Sequence, residues 1–230
     1  MINTKYTIII IFIFLIYYLY NNHTKNILFT NTNQNQVNEI YQLLKYINCT
    51  FKKTNTKYTV IGGTLLGCIR HKGLIPWDND ADIAVLNKSF TEILEILKPL
   101  EKNKIVSYMN IYNGIIKVKF KHSKTIIDIF ILQKDKDDIY RLAPPYDTIY
   151  PNEYFREYEL YPLKIYKFGP IDLYGPNLSI NYLDRAYPSW DNTAEAWSTD
   201  IDRLYNTKKR KDINLTISAN PTIYISKYCN

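Results

Sequence analysis

"VIGGTLLGCIRHKGLIPWDNDADIAVL", Val60 to Leu86, places paired glycines ahead of an Arg-His-Lys run and three alternating aspartates. The segment before it, "KYTVI", is β-branched and reads as a short strand, while "TLLGCIR" reads as the opening of a helix. Gly62 and Gly63 therefore sit in a strand-to-helix turn. Glycines there either make a tight turn or let the backbone approach an anion that the helix start favours. Downstream, "ADIAVL" is a buried strand. Residues two apart in a strand share a face, so Asp80 and Asp82 point the same way. Two like charges among apolar neighbours are costly. A divalent cation relieves that cost, and Mg²⁺ takes carboxylate oxygens together with substrate phosphates. Asp78, one step further back, joins the same face if the alternation persists through the loop after Pro76-Trp77.

A second segment carries a matching signal. "TIIDIFIL", from Thr125 to Leu132, is a strand pattern with one carboxylate, Asp128, inside it. Asp128 either meets solvent at a sheet edge or completes an acidic site with Asp80 and Asp82. A glycine turn, an Asp-x-Asp strand and a later strand Asp together make the constellation of the nucleotidyltransferase fold. Mg²⁺ or Mn²⁺ is the cofactor that such a site implies.

The surrounding elements fit that frame. "VNEIYQLLKYIN" places Val37, Ile40, Tyr41, Leu44 and Ile47 on one helical face. "SFTEILEIL" is a helix, with Ser89 and Glu92 spaced as a capping box. "NKIVSYMNIY" and "IIKVKFK" predict a hairpin turning at Asn113-Gly114. From Pro144 to Pro176 the chain is rich in Pro and Tyr and reads as irregular with short strands. "LSINYLDRAYPSW" returns to helix until Pro188. This order argues α/β (α+β), a mixed sheet flanked by helices.

The chain has 230 residues, 46% of them hydrophobic and 22% charged, which suits one globular domain with a real core. The net charge of +7 suits phosphate-bearing or acidic partners. Only "KKRK", Lys208 to Lys211, is dense, and it reads as a solvated surface. Cys49, Cys68 and Cys229 offer neither zinc spacing nor a disulfide framework. At the N-terminus, "YTIIIIFIFLIYYLY", Tyr6 to Tyr20, is an apolar run without a cleavage site after it. It predicts a signal-anchor over residues 1–20, a polar tether over 21–36 and a catalytic domain over 37–230. The localisation that follows is a single-pass membrane protein with the domain in the lumen or outside the cell. Five N-x-S/T sequons, at Asn22, Asn48, Asn87, Asn177 and Asn214, would then be available for glycosylation.

The stretch "GGTLLGCIRHKGLIPWDNDADIAVL" resembles the signature of the LicD family, which includes the fukutin-related enzymes. "KVKFKHSKTIIDIFIL" is similar to that family's second block and "LYPLKIYKFGPIDLYGPNLSINYLDRAYPSW" to its third. The resemblance runs from Val37 to Trp197. Asn79 stands where the family usually has Asp, Cys68 and Ala81 replace commoner Ala and Ile, and the Gly usual after the Tyr of "YPSW" is missing. The resemblance implies transfer of a phosphate-linked alcohol, such as phosphocholine or ribitol phosphate, from a CDP-alcohol donor to a glycan acceptor. It gives Asp80, Asp82 and Asp128 the metal, with Asp78 beside them, and Gly62, Gly63 and Thr64 the donor phosphates. Arg70 reads either as a phosphate clamp or as half of a structural salt bridge. True nucleotidyl transfer with pyrophosphate release, and an inactive glycan-binding relative, are the competing readings. Nucleic acid is not an expected partner, because no aromatic-basic stacking surface is evident.

Overall fold

A computed structural model describes residues 4–110, 114–196 and 208–223. Helix α1 (Thr4–Leu28) leads into α2 (Gln34–Lys53), then strand β1 (Tyr58–Val60) and the short α3 (Gly62–Leu66), which continues as a π-helical turn, Gly67–His71. Strand β2 (Ala81–Leu86) follows, then α4 (Phe90–Leu97), a 3₁₀ turn, and β3 (Ile105–Asn110), β4 (Ile115–Phe120) and β5 (Ile127–Lys134). The rest comprises β6 (Ile139–Leu142), α5 (Tyr146–Ile149), β7 (Tyr154–Arg156), α6 (Glu157–Leu160), β8 (Lys164–Phe168) and β9 (Ile171–Gly175). Helix α7 (Ser179–Ala186) and the ribbon of β10 (Ala194–Ala196) with β11 (Lys208–Arg210) complete the described chain.

The main sheet runs β1-β2-β5-β4-β3, with β6 and β7 continuing from β5. Among the described strands of this sheet, only β2 and β5 pair in parallel; the other pairs are antiparallel. The sheet is therefore mixed, as the order of sequence patterns predicts. Helix α2 buries the predicted Val37, Ile40, Tyr41, Leu44 and Ile47 and packs on β4, β5 and β9. Its N-cap is Asn33, whose side chain accepts from the Gln36 N–H and satisfies one of the first turn's unbonded donors. The Ser89–Glu92 capping box is formed on α4. β3 and β4 are the predicted hairpin, though Asn113 of its turn lies outside the described residues. The stretch expected to be irregular with short strands carries the short strands β7, β8 and β9, together with two short helices, α5 and α6.

Two expectations need correcting. Among the described residues, no helix is long and apolar enough to cross a membrane. That overturns the predicted single-pass anchor and the membrane localisation built on it. Tyr6 to Tyr20, at about 1.5 Å per helical residue, reaches only ~22 Å against a hydrocarbon layer of about 30 Å. The helix then runs on into polar Asn21, Asn22, His23 and Thr24. So the segment read as a tether is helical through Leu28 and again from Gln34. The second correction concerns the cysteines. Cys49 is disulfide-bonded, whereas Cys68 is a buried thiol.

Candidate active site

The predicted glycine turn and acids meet at one cavity of about 600 Å³. Gly62, Gly63, Arg70, Asp78, Asp80, Asp82 and Asp128 all line it, with Glu153 and the aromatic rings of Trp77, Phe130, Tyr150, Tyr187 and Trp190. Sheet register explains the convergence. Asp82 on β2 sits directly beside Asp128 on β5, and Asp128 sits directly opposite Lys117 on β4. Neighbouring strands are about 4.8 Å apart, so these three side chains form one row across the sheet. Asp80 precedes β2 and Asp78 lies in the loop before it. That loop is buttressed from residues 30–33: the Thr32 N–H donates to the Pro76 carbonyl at 2.7 Å, and its hydroxyl to the Asp78 carbonyl at 2.6 Å. Thr30, Asn31, Thr32 and Asn33 thereby form a wall of the cavity, which polar composition alone did not signal.

The glycines answer a steric need as well as a conformational one. Gly62 has φ of +55°, and a Cβ there would stand 2.9 Å from Asp82 Oδ2. A Cβ on Gly63 would stand 2.7 Å from Asp78 Oδ2. The turn is thin because carboxylates press against it. The Gly62 N–H donates to Tyr182 Oη at 3.0 Å, and that phenol donates to Glu153 at 2.6 Å. Thr64 is buried beneath the cavity, and its hydroxyl accepts the Asp82 N–H at 2.8 Å. It fastens the turn to β2.

The electrostatics are those of crowded acids. Burial raises the carboxyl pKa of Asp82 well above the ordinary range, and Asp80, Asp128, Asp78 and Glu153 raise it further. Burial likewise raises Asp78, followed by the charge of Asp80 and a hydrogen bond between the two side chains. A lysine answers this cluster directly. Lys117 Nζ donates to both oxygens of Asp128, at 2.9 and 2.8 Å. Burial works against the Lys117 charge, yet Asp128, Asp80 and Asp82 hold its pKa above the usual value.

Arg70 lines the cavity, with part of its guanidinium already engaged by the protein. Its Nε donates to His71 Nε2 at 2.9 Å, and its Nη1 donates to the carbonyls of Trp190 and Thr193. It ties the π-helical turn to the segment after α7 at the cavity's edge. Burial pulls its pKa down to about 10. His71 is buried, and its Nδ1 donates to the Ile217 carbonyl at 2.5 Å.

The donor set suits a hard divalent ion in kind, since two carboxylates with substrate phosphates are an ordinary Mg²⁺ complement. Among the described residues, no group of three or more His, Cys, Asp or Glu side chains is arranged to hold a metal ion. Asp128, the third predicted ligand, is engaged by Lys117. Sequence reasoning did not find Lys117, Glu153 or Tyr182. Lys117 alternates with Lys119 along β4, so nothing local singles it out; Glu153 lies in the Pro- and Tyr-rich stretch, and Tyr182 on the helix that follows it.

A glycine turn feeding an acidic strand pair in a mixed sheet defines a nucleotidyltransferase-like domain. Residues 55–178 match the family model described as LicD/FKTN/FKRP, nucleotidyltransferase domain, and the chain belongs to that family. It is 38% identical over 181 residues to an uncharacterized protein of Rickettsia prowazekii, a match covering 77% of this chain and 65% of that protein. A second uncharacterized protein, from Rickettsia typhi, is 38% identical over 180 residues, covering 77% of this chain and 55% of the relative. The chain thus spans less than two thirds of either relative's length. A stretch of 54 residues is 35% identical to the lipopolysaccharide cholinephosphotransferase LicD of Haemophilus influenzae, covering 24% of this chain and 20% of that one. Among solved structures, a lincomycin-bound lincosamide antibiotic adenylyltransferase aligns at 15% identity with a TM-score of 0.42, covering 76% of this chain and 94% of that one.

Proposed function

We propose that this protein transfers a phosphate-linked alcohol, of the phosphocholine or ribitol-phosphate type, from a CDP-activated donor to a glycan hydroxyl. The observation that carries the reading is the placing of Asp80, Asp82 and Asp128 around one cavity beside the Gly62-Gly63 turn, in a member of the LicD family. The acceptor hydroxyl attacks the phosphorus that bears the alcohol, the bond from that phosphorus to the bridging oxygen breaks, and CMP leaves. The hydroxyl proton passes to a cavity carboxylate. Gly62 and Gly63 leave room for donor phosphates to approach the acids. Asp80 and Asp82 would hold Mg²⁺ or Mn²⁺, which when bound offsets charge on the phosphate oxygens. The aromatic rings facing the acids offer apolar surface for the remainder of donor and acceptor.

The deciding experiment incubates the protein with CDP-choline, CDP-ribitol and CTP, each with Mn²⁺ and a glycan acceptor. The expected result is CMP release from a CDP-alcohol. Pyrophosphate release from CTP alone would establish nucleotidyl transfer instead, since the same acids serve both reactions.

A further inference from the structure

We propose that Lys117 is a resident cation of the acidic cavity, standing where a second metal ion would otherwise sit, so that the site takes a single divalent ion through Asp80 and Asp82. This rests on the metal-dependent reading above. The geometry is specific. Lys117 lies directly opposite Asp128 in the β4–β5 register, and Asp128 lies directly beside Asp82 in the β5–β2 register. The ammonium is bidentate on Asp128, and the two side chains are only 20% and 16% exposed. An ion pair this shielded keeps much of its strength, because water screens it little. A second metal ion reaching for Asp128 would meet the charge of an ammonium already bonded to both its oxygens.

Charge counting leads to the same conclusion. Asp78, Asp80, Asp128 and Glu153 all bear on Asp82, and Lys117 feels Asp128, Asp80 and Asp82 together. The lysine is covalently fixed and present before substrate arrives. It holds Asp128 in the row without a metal, making it a positioning residue for that carboxylate. With Asp128 so held, Asp80 and Asp82 would share one ion with the donor's phosphates, the small protein share that Mg²⁺ commonly accepts.

The test counts ions. Mn²⁺ is titrated into the full chain, with CDP-choline present, by calorimetry and by electron paramagnetic resonance of unbound Mn²⁺. Wild type is expected to take one Mn²⁺. Lys117→Met, of similar reach but neutral, is expected to take a second, or to bind the first at least tenfold more tightly. Its melting temperature without metal should fall below wild type, and Mn²⁺ should restore most of the difference, because one cation then replaces another at Asp128. Lys117→Arg keeps the charge and should behave as wild type. Two Mn²⁺ on wild type would overturn the proposal even if Lys117→Met fails to fold. So would unchanged stoichiometry and affinity in a folded Lys117→Met. If no variant binds Mn²⁺, or if Asp82→Asn binds it as wild type does, the metal-dependent reading itself fails, and Lys117 with it.

Discussion

At the scale of single residues, the acids differ in what surrounds them, and their variants should differ in sign. Asp82 is raised by burial and by four neighbouring carboxyl groups. Asp82→Asn removes one charge from that cluster at nearly constant size, so the metal-free protein should gain stability while turnover is lost. Asp128→Asn also loses turnover but strips Lys117 of its partner. Leaving a largely buried ammonium without its carboxylate costs roughly 1–3 kcal/mol, so this variant should melt lower. Thermal denaturation without metal checks both, and equal shifts of the same sign would refute the assignment of Lys117 to Asp128. His71 supplies a separate pH dependence. Burial lowers its pKa to about 4 from an ordinary value of about 6.5, and its Nε2 must stay unprotonated to accept from Arg70. The folded state therefore binds fewer protons here than the unfolded chain. Stability from this group is fully present above about pH 6.5 and is lost as pH falls toward 4. His71→Gln should flatten that part of the melting-temperature profile. If the profile keeps its slope, another group is responsible.

At the scale of elements, the glycine turn can be taken apart by a double-mutant cycle. Gly62→Ala meets two costs, a left-handed backbone worth about 1–2 kcal/mol and a clash with the Asp82 carboxylate. In Gly63→Ala the clash with Asp78 is the cost that stands out. Adding Asp78→Ala should therefore rescue much of the stability lost in Gly63→Ala, whereas Asp82→Ala should rescue Gly62→Ala only in part. Denaturant unfolding of the singles and doubles reads the coupling. These elements also show how far sequence reaches. Period and punctuation revealed β1, β2, β5, α2, the β3–β4 hairpin and the α4 cap, because each is dictated by its own neighbours in the chain. The Asp82–Asp128 juxtaposition was legible as two acidic strands that needed a common answer. Lys117's part was not, since it depends on the registers of β4 with β5 and of β5 with β2. Gly62's bond to Tyr182 spans 120 residues and leaves no local trace.

At the scale of the whole molecule, the cavity is closed by a region whose elements are short and whose sequence looks irregular. The stretch from β6 to α7 delivers Glu153 and Tyr182 to the site, and the segment after it delivers Tyr187, Trp190 and Thr193. So short a set of elements needs a fastening, and Glu159 provides it. Glu159 on α6 is fully buried, with 0% exposure, and accepts from Arg185 on α7 at 3.0 and 2.8 Å. Arg156 donates to the same carboxylate at 3.0 Å. Arg185 also reaches the Tyr154 carbonyl at 2.8 Å and stacks 4.2 Å from that residue's ring. Burial alone would raise the Glu159 pKa, but hydrogen bonds from Arg185 and the Arg156 N–H leave it below its usual value. The carboxylate therefore stays charged and ties α6, α7 and β7 together. Glu159→Gln keeps the shape but leaves Arg185, only 20% exposed, without its counter-charge. Breaking a buried pair from one side costs about 3–5 kcal/mol, which for a chain of this size lowers the melting temperature on the order of 10 °C. Arg156 is 45% exposed, so Arg156→Ala should cost no more than about 1 kcal/mol. Because Tyr182 rides on α7 and holds the Gly62 turn, Glu159→Gln should also speed amide exchange at Gly62 well below the melting transition. Equal melting shifts for the two variants, or unchanged exchange at Gly62, would mean that α7 is held by its apolar contacts and not by this ion pair.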